Sequence, residues 1–310
     1  MHDLIVIGGG PAGLTATMYA VQKGLDVLLV TRDLGGKTNY RLQLPFVERY
    51  MVINGDEVIS RFVREIEYLG FAHVLDNVES IRPVEDGYEV TLTEGGPRQA
   101  RCLIVATGAK AQLLNVPGEK EFMMRGLCYS AISYAQLFID HTAVVIGDDD
   151  LALRGVAELA RLARHVTLVA PTTGKTASPL GVYLSQLENV DFLVGYRVKA
   201  IKGDIYARGL VIEKGGEERE LEADAIFVEM DLIPRSRVVE GLVELDEKGR
   251  IKINSRNETS APGIFAAGDV TDGYAEQVLI AIGEGAKAAL TAYEYLLKAG
   301  QPVVRAKAGQ

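Results

Sequence analysis

The chain is poor in the residues that most often announce a function. Only two of its 310 residues are cysteine, Cys102 and Cys128. That is too few for a zinc cage or a disulfide framework, and it fits a reducing cytoplasm. The four histidines, His2, His73, His141 and His165, are scattered, with no acidic or thiol partner at ligand spacing, so no metal site is expected. No apolar run approaches the ~20 residues that span a bilayer, so no membrane association is expected. The opening "MHDLIVIGGG" lacks the basic region of a signal peptide. Cations are in deficit: 33 Lys and Arg against 42 Asp and Glu leave a net charge of −9. Nucleic acid is therefore a poor partner, since its phosphates call for a basic surface. With 48% apolar and 24% charged residues, and length enough for roughly two domains, the chain reads as an ordinary globular protein of the cytoplasm.

Glycine is where the information starts. The β-branched run Leu4 to Ile7 leads into Gly8-Gly9-Gly10-Pro11-Ala12-Gly13. A helical pattern follows through Leu14, Met18 and Val21, closed by Gly24, and a second strand runs from Asp26 to Val30. Strand, glycine turn, helix and strand form the context in which G-x-G-x-x-G binds a dinucleotide. Gly8 is expected to allow the tight turn, Gly10 to let backbone approach a diphosphate, and Gly13 to let the helix pack on the sheet. The helix N-terminus then offers N–H groups to the anion. The acidic residue that usually ends the second strand is missing: the strand ends in Thr31-Arg32, and Asp33 follows. Asp33 is either a ribose ligand or a solvated loop charge.

Two later segments narrow the dinucleotide. The strand Cys102 to Val105 ends in Ala106-Thr107-Gly108-Ala109, and another near the C-terminus ends in Ala267-Gly268-Asp269, before a helix from about Gln277. A carboxylate at a strand end can accept hydrogen bonds from ribityl hydroxyls, and the helix N-terminus that follows can face a flavin's electron-rich edge. Together with the opening fingerprint, these segments resemble the two-dinucleotide-domain flavoprotein disulfide reductases, and the resemblance implies FAD. The expected contacts are Gly8, Gly10, Pro11, Ala12, Gly13, Gly35, Gly36, Lys37, Thr38, Ala106, Thr107, Gly108, Gly268, Asp269, Gln277 and Val278.

The chain also repeats itself. "LIVIGGGPAGLTATMYAVQKGLDVLLV" is echoed by "AVVIGDDDLALRGVAELARLARHVTLV", and Gly8 to Val30 matches Gly147 to Val169 in length. The expected fold is α/β, with two doubly wound, Rossmann-like dinucleotide-binding domains, the second inserted into the first. Residues 1–114 and 240–310 would form an FAD domain, and residues 117–237 an NAD(P)H-type domain. That second copy is degenerate. Asp149 stands at the place of Gly10, Asp150 at that of Pro11 and Ala152 at that of Gly13. Two unit charges ~4 Å apart repel by about 4 kcal/mol at an effective dielectric of 20, enough to remove most of a micromolar affinity. Asp at a helix start also caps N–H groups. Two more departures point the same way: Val169-Ala170-Pro171-Thr172-Thr173 has no cation before Lys175, and the loop Val228-Glu229-Met230-Asp231-Leu232 is acidic.

With "VPGE" at Val116 to Glu119 and "RGLCYSAISY" from Arg125, the resemblance is to low-molecular-weight thioredoxin reductases and covers essentially the whole chain. It implies a homodimer formed through the FAD domain. In that family a Cys-x-x-Cys pair passes electrons from flavin to thioredoxin, and here the two positions are Ser130 and Ser133. A hydroxyl forms neither disulfide nor thiolate. Cys128 is left as a candidate single thiol, whereas Cys102, inside a strand, reads as a packed small side chain. Tyr40, Arg49 and Tyr50 fall in the stretch that passes near the flavin in relatives, where core packing is the ordinary alternative. Arg154, Arg161 and Arg164 line one helix face, either solvated or able to dock an acidic electron carrier such as ferredoxin.

Three functions follow from this reading. The first is an FAD oxidoreductase reduced by a donor other than NAD(P)H. The second is a flavin-bound scaffold or redox sensor without turnover. The third is an NADPH-dependent thioredoxin reductase or ferredoxin-NADP reductase, as the family label would have it.

Overall fold

The computed structural model describes residues 1–40, 42–45 and 55–298. In chain order, the first part of the molecule comprises β1 (His2–Ile7), α1 (Pro11–Gln22), β2 (Val27–Thr31), α2 (Gly55–Tyr68), β3 (His73–Leu75), β4 (Val78–Val84), β5 (Gly87–Leu92), β6 (Gly96–Val105) and β7 (Ala109–Lys110). Next come α3 (Glu119–Phe122), β8 (Leu127–Cys128), α4 (Ala131–Tyr134), β9 (Thr142–Ile146), α5 (Asp150–Ala160), β10 (His165–Ala170), α6 (Pro179–Leu184) and β11 (Val190–Val194). The strands β12 (Arg197–Gly203), β13 (Ala207–Lys214), β14 (Glu217–Glu222) and β15 (Ala225–Val228) complete that part, and β16 (Ile233–Pro234), β17 (Ile264–Ala266) and α7 (Val278–Lys298) follow.

The chain divides into two units. The described residues of Met1–Asn39, Ile53–Lys110 and Ile233–Gln310 form one, and those of Tyr40–Val52 and Ala111–Leu232 form the other. In the first, the sheet order is β3-β2-β1-β6-β5-β4, with β17 also on β6. β6 serves two partners besides β1 because it is long: Gly96 to Ala100 pair antiparallel with β5, and Leu103 to Val105 pair parallel with β17. Strand alternation sends Leu4 and Val6 into one apolar layer and Ile5 and Ile7 into the other, so β1 is buried on both faces. Two helices, α1 and α7, cover the first of these layers through small residues. A Cβ on Gly285 would stand 2.1 Å from the Ala12 carbonyl oxygen, so α7 runs close over the start of α1.

In the second unit the parallel sheet β11-β10-β9-β15-β8 carries α5, with an antiparallel β12-β13-β14 sheet beside it in sequence. The echo seen in the sequence is thus realised as β9–α5–β10, matching β1–α1–β2.

The unit boundaries differ from those expected. They fall after Lys110 and after Leu232, because β7 and β16 pair with each other and Arg235 donates its N–H to the Gly108 carbonyl. Residues 233–237 therefore belong with the first unit. The described residues of the stretch Tyr40–Val52, expected with the first unit, group with the second. Gln43 N–H bonds the Met124 carbonyl at 2.7 Å, and Leu44 is buried in the second unit's core.

Candidate functional site

In the first unit, three strand ends and two helix starts converge. Each glycine of the opening turn has its own reason. Gly8 has φ +109°, and a Cβ there would lie 2.3 Å from the Ala106 carbonyl oxygen, where β1 and β6 end side by side. A Cβ on Gly13 would lie 1.8 Å from the Gly8 carbonyl oxygen, so helix and turn could not pack. The position of a Cβ on Gly10 meets nothing within 4 Å. This is the opening through which a diphosphate can reach backbone. Gly10 is also the N-cap of α1, has no side-chain cap, and is followed by Pro11 with no acidic residue in the first turn. The first N–H groups of that helix are therefore uncommitted to side chains among the described residues, and they carry the positive end of the helix dipole.

The other expected contacts gather around this opening. A Cβ on Gly36 would be 3.2 Å from Gly10 Cα, and one on Gly268 would be 3.1 Å from Ala12 Cβ. Lys37 Nζ lies 2.5 Å from Asp269 Oδ2. Gln277 begins α7, its carbonyl accepting from Ala281 N–H. Val278 packs against the α1–α7 core.

Three polar side chains near this opening already have partners within the chain. Thr38 is buried and its hydroxyl donates to the Gly35 carbonyl, which tightens the one-turn 3-10 helix Gly36–Asn39. The Thr107 hydroxyl donates to the Arg235 carbonyl. These two offer a ligand backbone and bulk, not a free hydroxyl donor. Asp33 is not a bare loop charge, since its Oδ1 accepts the Gly36 N–H at 2.9 Å. Glu284 was not anticipated. Its Oε2 accepts the Gly268 N–H at 2.7 Å. Burial pushes its carboxyl up, with Asp269 and Asp272 adding to that, against the Gly268 N–H and Lys287. An acid at one position of an otherwise Gly- and Ala-rich helix segment was the signal for it.

The equivalent place in the second unit is filled. Asp149 is the N-cap of α5, and its Oδ1 accepts from Leu151 and Ala152 N–H, each at 3.0 Å. The three departures from the dinucleotide-binding pattern are not independent. Asp148 accepts the Thr172 N–H at 3.1 Å as well as its hydroxyl, and the Asp148 carbonyl takes the Lys175 N–H, so the loop after β10 is stitched to this turn. Asp149 is pushed up by burial and by a hydrogen-bonded Asp231 carboxyl, against the N–H groups it caps. Glu229 is a correction: it is 2% exposed and accepts the Ala131 N–H, so it lies inside the unit rather than facing a ligand.

Ser130 and Ser133 keep the spacing of a dithiol, with their hydroxyl oxygens 2.8 Å apart at the start of α4. Cys128 is fully buried, and burial followed by the nearby Glu229 pushes its thiol well up. This speaks against the candidate single thiol, because burial beside a carboxylate disfavours the thiolate. Cys102 is buried too, its thiol 3.2 Å from the Asp3 carbonyl oxygen, as a packed residue should be. Glu119, 1% exposed, accepts from Leu114 N–H, Asn115 N–H and the Tyr129 hydroxyl, anchoring the segment just before Ser130. Tyr40 is exposed, so the core-packing alternative fails for it, while Arg49 and Tyr50 lie outside the described residues. Arg154, Arg161 and Arg164 are all exposed. Among the described residues no group of His, Cys, Asp and Glu is arranged to hold a metal, and no helix is long and apolar enough to cross a membrane.

Two Rossmann-like units, one with an open helix start and one with its helix start occupied, define a protein built on a pair of dinucleotide-binding folds. Residues 2–285 match the pyridine nucleotide-disulphide oxidoreductase family, and the chain belongs to it. It is 32% identical over 304 residues to the F subunit of alkyl hydroperoxide reductase from Staphylococcus aureus strain Mu50. That match covers 96% of this chain but spans only 59% of the length of the Staphylococcus protein. Among solved structures, thioredoxin reductase from Streptococcus pyogenes MGAS5005 is similar with a TM-score of 0.87 and 31% identity, covering 96% of this chain and 99% of the other. Thioredoxin reductase from Giardia duodenalis follows with a TM-score of 0.86 and 26% identity, with the same coverage of 96% and 99%.

Proposed function

We propose that the chain is an FAD-dependent oxidoreductase whose flavin is reduced by a donor other than NAD(P)H, and that it works without an internal dithiol. The observation that carries this reading is the contrast between two equivalent helix starts. α1 has no side-chain cap and opens through Gly10, whereas α5 spends its first N–H groups on Asp149. FAD fits the first site on the open Gly10 position, on Asp269 at a strand end, and on α7 starting beside it. When bound, FAD supplies two-electron redox chemistry. The chain's part is to present the α1 N–H groups to the diphosphate and the Asp269 carboxylate to ribityl hydroxyls. In the second unit, the carboxylates of Asp148 and Asp149 occupy their own anion site and would repel a second diphosphate.

The donor is an acidic electron carrier such as a ferredoxin, and the exposed cations Arg154 on α5, Arg161 at its C-cap and Arg164 just beyond it, which do not all lie on one helix as expected, support its docking by charge complementarity. The protein works as a homodimer in the cytoplasm, where two buried free cysteines are at ease.

The likeness to thioredoxin reductases favours a second reading, NADPH-dependent disulphide reduction. One experiment separates them. The purified protein, with its flavin absorbance confirmed, is mixed anaerobically with NADPH, NADH or reduced ferredoxin. Fast bleaching by ferredoxin alone is the expected result. Fast bleaching by NADPH would establish the second reading instead. Bleaching by dithionite only would leave a flavin-bound scaffold or redox sensor.

A further inference from the structure

The Lys37–Asp269 pair lies at the mouth of the first site and has a use beyond stability. Lys37 is 44% exposed and Asp269 14%, a geometry in which an ion pair contributes little to folding. Lys37 directly follows Gly36, the residue set against Gly10 Cα, so its turn borders the opening in front of α1. Around Asp269 the wall is acidic: Asp272 and Glu284 are close enough to act on one another's charge, and Glu284 already holds the Gly268 N–H. A diphosphate entering beside such a wall meets repulsion from fixed carboxylates, and a flexible ammonium is the group that can offset it.

We infer that Lys37 is a contested cation: Asp269 and the diphosphate of the bound dinucleotide compete for it. Drawing Lys37 to the diphosphate frees Asp269 to accept hydroxyl hydrogen bonds, so the two halves of the ligand are recognised in a linked way. This inference rests on the FAD reading above.

The test is equilibrium binding to flavin-stripped protein, with FAD and ADP as probes, for the natural chain, Lys37→Met, Lys37→Arg and Asp269→Asn. Lys37→Met should weaken both FAD and ADP about tenfold, the scale of one charge-assisted hydrogen bond at a half-open site. The loss should shrink at high salt, and Lys37→Arg should recover most of it. Asp269→Asn separates competition from mere support. It releases Lys37, so ADP, which has no ribityl chain, should bind several-fold more tightly, while FAD weakens. If Lys37→Met binds ADP as the natural chain does, or if Asp269→Asn weakens ADP as well, the inference fails and the FAD reading stands. If the natural chain takes up neither FAD nor ADP, the FAD reading itself falls, and this inference with it.

Discussion

The two helix starts of this protein have nearly the same backbone and opposite chemistry. Gly10 and Asp149 are both N-caps in extended conformation, at φ −74°, ψ −177° and φ −111°, ψ −171°. Each follows a buried parallel strand and precedes a helix lying on that strand's sheet. One presents bare N–H groups, and the other satisfies them with its own side chain. The comparison teaches that the same turn can leave its helix N–H groups open or satisfy them with its own side chain without losing its shape. A carboxylate at the N-cap replaces the anion the helix would otherwise recruit, and caps typically contribute ~1 kcal/mol to the fold.

The strongest way to break the comparison is to make the first turn resemble the second. Gly10→Asp should fold normally, because its Cβ would point into open space and the backbone already suits an N-cap. It should lose FAD almost completely, by a factor on the order of 10³ for a repulsion of about 4 kcal/mol. Absorbance of the purified variant at the flavin bands, with circular dichroism as the folding check, reads this directly. A yellow Gly10→Asp protein would remove the electrostatic premise.

Next in size is a change that asks whether the second unit kept its geometry elsewhere. With the Ser130 and Ser133 oxygens 2.8 Å apart, Ser130→Cys with Ser133→Cys should form a disulfide in air. Thiol titration of the native protein should find two new thiols only after reduction, because Cys102 and Cys128 are buried. Two thiols titrating without reduction would mean the loop is not held as described.

A smaller effect comes from uncapping α5. Asp149→Ala should lower stability by about 1 kcal/mol, whereas Asp149→Asn, which keeps an acceptor oxygen, should cost much less. Denaturant midpoints of the two variants give the answer, and equal losses would assign the effect to charge and not to the cap.

The smallest expected effect is a pH dependence. Asp149 sits above the ordinary carboxylate value, chiefly through burial and then through Asp231. A raised carboxyl binds a proton more readily folded than unfolded, so Asp149 contributes most at acid pH and its contribution falls as pH rises through its titration range. Asp231→Asn relieves the repulsion. It should raise the melting temperature by roughly 1–2 °C at neutral pH, as expected for ~0.5 kcal/mol in a domain of this size, and the gain should vanish toward acid pH. A gain of the same size at every pH would place its origin outside the pair.

Much of the first site was legible because its constraints are local. Gly8, Gly10 and Gly13 lie within six residues, and their spacing alone assigns the turn, the opening and the helix contact, which the structure realises as separate steric facts. The capping by Asp149 was legible for the same reason, since its partners are two and three residues away. What escaped was nonlocal. Nothing in the order of residues says that Asp148 would take Thr172, that Asp231 would meet Asp149, or that Glu284 would hold Gly268. Nor did the motif containing Cys128 disclose that its thiol is sealed away beside Glu229.

Sequence alone therefore determined the repeat of strand, turn and helix, the α/β class, and which of the two turns carries its own side-chain cap. These follow from short-range rules of backbone sterics and helix capping. Only the tertiary structure decided which polar side chains are spent on one another. It closed the second turn with its own loop, committed the Thr38 and Thr107 hydroxyl protons to backbone carbonyls, and drew Gln43 and Leu44 into the second unit. A buried polar atom takes whatever partner the packing brings to it, and packing is a property of the whole chain.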